Sequence, residues 1–263
     1  MTLPDEIRAI LPSDTAASWE EIAPLIPEQA YLAGGTAVAV HLKHRVSRDL
    51  DFFFHRNAVD ITRLRRRLAQ TGKFAATIQT PETLSGLYSE TKIQFLHADT
   101  DNRPSRLLVQ PSLVAGVHVA ALPDLIAMKL KVVAQRGELR DYFDLMEIEQ
   151  SGGITVDLGI TYYLARFQPD DPQTQVSAII RGLGYFGDVD DDELLPVPRD
   201  QIEQYWRERQ PQVLRSAGWL SSAGEPPPPP PLAPVGFPGG AAGRHWVQPH
   251  TRGGRKIGGY WRG

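Results

Sequence analysis

An unbroken run of prolines, Pro226 to Pro231, limits what this chain can fold into more than any other feature. Proline lacks a backbone N–H and fixes φ, so such a run enters neither a helix interior nor a sheet ladder and extends as polyproline II. The bias continues to Gly243, with Gly239 and Gly240 on the way. Segment 223–244 is therefore expected to be a linker, with the folded part ending near Ser222. The chain on the N-terminal side of the linker is long enough for one large domain, or two small ones, with a real core. On its C-terminal side, 245–263 is basic and aromatic. Val247-Gln-Pro-His250-Thr-Arg252 is echoed ten residues later by Ile257-Gly-Gly-Tyr260-Trp-Arg262. That pattern fits a flexible basic tail as well as a short recognition tail whose Arg, Trp and Tyr stack on a partner.

Within the folded part the first half reads as α+β and the second as mostly helical. Residues 1–150 are expected to form a core and 151–222 a helical region. Strands are expected at Ala30–Leu32, Leu50–Phe54, Phe74–Thr80, Lys92–Leu96, Leu107–Val109 and Val117–Val119. Helices are expected at Ser18–Ala23, Ala37–Leu42 and Ile61–Ala69. A further helix starts at Pro123 and ends near Gly137, and the next runs from Arg140 to about Glu149. Thr161–Phe167, Gln175–Arg181 and Gln201–Gln210 are expected to be helical as well.

The chain has no cysteine, so thiolate metal sites and Cys nucleophiles are excluded, and a reducing cytoplasm fits. No apolar stretch is long enough to span a bilayer. With 28 Lys plus Arg against 31 Asp plus Glu, the net charge of −3 does not mark the whole surface for nucleic acid. The basic run Arg63, Arg65, Arg66 and Arg67 is a solvated helix face or a guide for an RNA backbone. Asp188 with Asp190 to Glu193 reads as a solvated acidic loop, and His41 and His44 lack any zinc spacing.

Chemistry concentrates between Gly34 and Asp51. Asp49 and Asp51 are two apart in a strand, so both carboxylates face one side. Side by side against Leu50, Phe52, Phe53 and Phe54, they repel and raise each other's pKa unless a cation sits between them. Oxygen-only ligation favours Mg²⁺ or Mn²⁺. Gly34 and Gly35 lie between a strand and a helix, where a bare backbone and free helix N–H groups can cradle an anion. Thr36 can cap that helix or meet a phosphate oxygen. A solvated strand end and a plain turn account for either element alone. Together they put a phosphate cradle one helix away from a metal-binding pair, as nucleotidyl transfer requires.

Gly34-Gly35-Thr36 followed by Asp49-x-Asp51 resembles the glycine and D-x-D signature of polymerase-β-type nucleotidyltransferases. The phrase LAGGTAVAVHLKHRVSRDLDFF is similar to the AbiEii/AbiGii toxins of type IV toxin–antitoxin systems. A second block, Lys129-Leu followed by Arg136 and then Arg140-Asp141-x-x-Asp144-Leu145, resembles later helical motifs of that family. The likeness spans Tyr31 to Gln150. It implies a polymerase-β-type core and Mg²⁺-dependent transfer of NMP from an NTP to a hydroxyl. It also implies an RNA (perhaps tRNA) or protein acceptor and a cognate antitoxin. Asp49 and Asp51 would hold the metal, Gly34, Gly35 and Thr36 the triphosphate, and Lys129 and Arg136 phosphate charge, with Asp141 assisting.

The residues themselves leave more open. Lys129 shares a helical face with Leu125 and Val133, so it snorkels or meets a buried anion. Arg140 and Asp144 can pair at i, i+4, and Asp141 and Asp144 can be structural. Gln94 stands on the Thr91–Leu96 strand where a third carboxylate is expected, and it cannot act as a base. A small-molecule adenylyltransferase and a non-catalytic binding protein on the same fold remain alternatives.

Overall fold

The strand β2 (Leu50–Phe54) separates two environments by its alternation: Leu50, Phe52 and Phe54 are buried, while Asp51 and Phe53 are only partly so. Strict alternation with a period of two is what a strand buried on one face and open on the other must show. In the computed structural model the described residues are 2–99, 105–135 and 137–218, with the backbone of 245–247, 250–252, 255–257 and 260–262. The chain divides into two units, Met1–Ala233 and Pro234–Gly263.

In the first unit, β2 pairs antiparallel with β1 (Tyr31–Ala33) and parallel with β5 (Thr91–His97). The seven-stranded sheet runs β3-β4-β5-β2-β1-β7-β6, with β3 at Phe74–Thr80, β4 at Thr83–Tyr88, β6 at Ser112–Val114 and β7 at Val117–Val119. β1 and β7 are parallel, so the sheet is mixed and the architecture is α+β, as expected. Two strands escaped the sequence reading. In β4, Ser85 and Gly86 break the apolar alternation; a Cβ on Gly86 would collide with the Ala75 carbonyl oxygen. β6 is short and its Leu113 is exposed.

Leu107–Val109 is not a strand. The backbone N–H groups of Leu108 and Val109 donate to the Asp124 carboxylate at 2.9 and 3.0 Å instead of to a neighbouring strand. Asp124 also meets Arg166 in a fully buried ion pair, and Arg166 donates to the Tyr31 hydroxyl at 2.7 Å. This cluster ties the helical half to β1.

The helices are α1 (Asp5–Arg8), α2 (Ser13–Ile22), α3 (Gly34–Leu42), α4 (Ile61–Ala69), α5 (Leu122–Val133), α6 (Leu139–Gln150), α7 (Val156–Phe167), α8 (Pro172–Leu183) and α9 (Arg199–Ser216). Pro123 sits in the first turn of α5. α3 begins at the glycines themselves rather than after them. α7 packs closely on α5 because Gly159 has no Cβ; one there would lie 2.7 Å from Ile126. The expected end of the last helix at Gln210 is wrong, since α9 continues through Pro211. Tertiary contacts hold both sides: Trp206 donates to the Tyr142 carbonyl at 3.1 Å, Arg209 meets Glu149 at 2.8 Å, and Val213 is buried. Among the described residues no helix is long and apolar enough to cross a membrane.

The expected linker 223–244 lies outside the described residues. In the second unit β8 (His245–Val247) pairs antiparallel with β11 (Tyr260–Arg262), and β9 (His250–Arg252) with β10 (Arg255–Ile257).

Candidate active site

Asp51 and Phe53 of β2 lie in register with Gln94 and Leu96 of β5. These four side chains form the floor of a cavity of about 600 Å³. The other walls are the start of α3 (Gly34, Gly35), the loop Arg45–Asp49, the inner face of α5 (Leu125, Met128, Lys129, Val132) and the start of α6 (Glu138, Arg140, Asp141). The volume suits a nucleotide-sized ligand.

The glycine turn and the acid pair meet directly. Gly34 has φ +66°, and a Cβ there would lie 2.6 Å from Asp51 Oδ2. Both the left-handed backbone and the contact demand glycine. β1 and β2 bring this about, since Ala33 is the register partner of Asp51. Asp49 lines the same cavity from the residue before the strand. Burial and then the neighbouring Asp49 push the Asp51 carboxyl up to about 6. Among the described residues Asp49 has one ion-pair partner, Arg140, 4.0 Å away, and Arg140 also pairs with Glu138. The expected Arg140–Asp144 pair does not form, because α6 turns Arg140 toward the cavity mouth and Asp144 into the core.

Asp144 is fully buried among cations instead. Lys129 approaches it at 2.7 Å, Arg45 grips both its oxygens at 2.6 and 2.9 Å, and His44 Nε2 lies 2.7 Å away. Burial alone would raise this carboxyl; Lys129 and then Arg45 outweigh burial and hold it well below the usual carboxylate range. Lys129 is equally enclosed, since its second partner is Asp141 at 2.6 Å. Its buried anion is thus supplied by the protein. Asp141 also accepts from the Glu138 backbone N–H at 2.9 Å, completing a capping box at the start of α6.

Thr36 neither caps its helix nor faces the cavity: no cap bond is made at α3, and the buried Thr36 hydroxyl donates to the Asp49 carbonyl and accepts from the Ser47 hydroxyl. It fixes the loop that carries Asp49. Arg136 lies outside the described residues. The acidic loop is more than a solvated segment, because Asp192, Leu194 and Leu195 border the cavity. Sequence reasoning also missed Arg45; a Cβ on Gly35 would collide with its Nη2, a contact across a turn that no periodicity announces.

Residues 21–217 match the family described as "Nucleotidyl transferase AbiEii toxin, Type IV TA system". The chain belongs to this family. As an AbiEii-family protein it is a nucleotidyltransferase, and the match extends beyond the glycine turn and D-x-D pair through α9. It is 27% identical over 179 residues to an uncharacterised protein of Aquifex aeolicus, covering 68% of this chain and 81% of that protein. Among solved structures it is similar to MenT4, a nucleotidyltransferase toxin of Mycobacterium tuberculosis, at 15% identity and a TM-score of 0.39, over 84% of this chain and 94% of that one. It is also similar to JHP933 of Helicobacter pylori, at 14% identity and a TM-score of 0.42, over 84% of this chain and 99% of that one.

Proposed function

We propose that this AbiEii-family protein transfers NMP from an NTP to an acceptor hydroxyl in the cytoplasm, releasing pyrophosphate, with RNA (tRNA among the candidates) or a protein as acceptor. A cognate antitoxin is expected from the type IV description of the family. The observation that carries this reading is the contact between Gly34 and Asp51 in a cavity that also holds Asp49, Lys129 and Asp141.

Asp49 and Asp51 fit Mg²⁺ or Mn²⁺. They are two neighbouring oxygen donors, and burial and then Asp49 hold the Asp51 carboxyl up to about 6 despite the opposing charges of Lys129, Lys92 and Arg140. Among the described residues no cluster of three or more His, Asp or Glu could hold a metal alone. Two carboxylates with water and phosphate oxygens as the remaining ligands match the usual manner of Mg²⁺ binding. When bound, the metal neutralises triphosphate charge and lowers the barrier to attack by the hydroxyl.

The chain's own residues supply the rest. Gly34 and Gly35 let the triphosphate approach the α3 backbone, whose free N–H groups and positive end favour it. Lys129, held by Asp141, adds positive charge from α5. The acceptor oxygen bonds to the α-phosphorus while the bond to the bridging oxygen breaks, and pyrophosphate leaves. Gln94, in register with Asp51, cannot accept the hydroxyl proton, so that proton goes to solvent water.

Purified protein incubated with labelled NTPs, Mg²⁺ and total RNA tests the reading, with parallel arms containing cellular protein or an aminoglycoside. Label on RNA or protein supports it. Label on the aminoglycoside alone redirects the acceptor to small molecules, and no transfer in any arm removes the proposal.

A further inference from the structure

Arg45 lies inside the phrase that carries the family resemblance, between the glycine turn and the D-x-D pair, but the sequence reading gave it no role; in the structure its guanidinium reaches the glycine turn. Its Nη2 lies where a Gly35 Cβ would stand. The guanidinium therefore lies against the start of α3, next to where the triphosphate is proposed to sit. Three of its N–H groups are taken: Nε and Nη2 donate to the two Asp144 oxygens at 2.6 and 2.9 Å, and Nη1 donates to the Val46 carbonyl at 3.2 Å. A guanidinium carries five N–H donors, so one on each terminal nitrogen is left over. Asp144 fixes the fork rigidly and is itself fully buried, so the group is preorganised.

Lys129 is the less suitable cation for the same task. Its ammonium lies between Asp141 and Asp144 at 2.6 and 2.7 Å, and both carboxylates draw on its charge. Arg45 is hydrogen-bonded to one carboxylate, Asp144, with Asp141 and Asp192 acting on it at longer range, and its other side faces the cavity.

We infer that Arg45 is a phosphate-binding residue of this site, donating its two remaining N–H groups to terminal phosphate oxygens of the NTP at the Gly34–Gly35 turn. This rests on the reading of the cavity as a nucleotide site. Gly35 is then required twice, once to admit the guanidinium and once to admit the phosphates.

Inorganic tripolyphosphate with Mg²⁺ isolates the phosphate contacts from any base preference, and its binding to the full chain can be followed by titration calorimetry. Arg45→Ala is expected to weaken binding about tenfold or more, as loss of a charge-assisted fork to phosphate should. Arg45→Lys is expected to recover part of the loss, because a point charge replaces the fork. Arg63→Ala, on the exposed face of α4, is expected to bind like the parent chain. If Arg45→Ala does not fold, Arg45→Gln keeps amide donors toward Asp144 without the charge and is expected to show the same loss. Unchanged tripolyphosphate affinity in a folded Arg45→Ala or Arg45→Gln, with only the melting temperature lowered, assigns Arg45 to the fold and overturns the inference. If the parent chain transfers label but Arg45 variants bind normally, the inference alone fails. If the parent chain binds no tripolyphosphate, the nucleotide site itself is refuted.

Discussion

Two groups of carboxylates, one lining the cavity and one buried behind its helical wall, stand under opposite electrostatic conditions. Asp49 and Asp51, on the sheet side, lie beside one another, with Arg140 4.0 Å from Asp49. Asp144, on the helical side, is ringed by Lys129, Arg45 and His44. Asp51 is pushed up to about 6, whereas Asp144 is held far below its ordinary value. The Asp144 carboxylate is fully charge-paired and serves to fasten α5, α6 and the loop after α3 together. The Asp49–Asp51 pair is incomplete by itself, and incompleteness is what a site for an external cation requires.

This contrast breaks most readily at the incomplete pair. Asp49→Ala or Asp51→Ala is expected to lower label transfer by roughly 10²–10³-fold or more, the scale of losing one electrostatic contact to the transition state, with little loss of folded protein. Full transfer by Asp49→Ala would show that the metal assignment is wrong.

At the complete group the effect should appear in stability. Asp144→Asn leaves Lys129 and Arg45 short of a buried partner and is expected to destabilise the chain by about 3–5 kcal/mol in urea denaturation. A loss below about 1 kcal/mol would mean that this cluster does not fasten the helices.

The pair can also be distinguished by the sign of its pH response. A carboxyl whose pKa rises on folding favours the native state while protonated; that contribution is present below the ordinary carboxylate range near 3.8 and is lost as pH rises through about 6. Metal-free Asp51→Asn should therefore be more stable than the parent chain at pH 7, by up to about 3 kcal/mol, with the advantage vanishing near pH 4. Saturating Mg²⁺ should narrow the gap by stabilising the parent. An advantage that persists unchanged at pH 4 would count against charge as the cause.

The smallest effect concerns Gln94. Gln94→Glu sets a third carboxylate in register with Asp51 and should lower metal-free stability by about 1 kcal/mol through added repulsion, while steepening the dependence of the melting temperature on Mg²⁺. Equal melting curves with and without Mg²⁺ would separate Gln94 from the metal pair.

Much of the catalytic half was legible because its signals are local. Glycines after a short apolar run marked the start of α3, and alternating acids and aromatics marked β2. Pro123 marked α5, and Lys129 stood out as a cation on an apolar stripe. Other features are set by partners distant in the chain. Arg45 reaches Asp144 across 99 residues, and Tyr142 bonds the Gly182 and Tyr185 carbonyls 40 and 43 residues on. Asp124 captures two backbone N–H groups that would otherwise read as a strand. α9 runs on through Pro211 because Arg209, Trp206 and Val213 are anchored on either side of it.

The sequence by itself determined the glycine turn at Gly34, the spacing of Asp49 and Asp51 and the apolar periodicities, since these are local properties of the chain. Only the tertiary structure decided which charges would be balanced. A carboxylate's behaviour depends on burial and on the cations within a few ångströms, and in this fold α5, α6 and the loop after α3 bring Lys129 and Arg45 to Asp144 while Asp51 is left beside another acid.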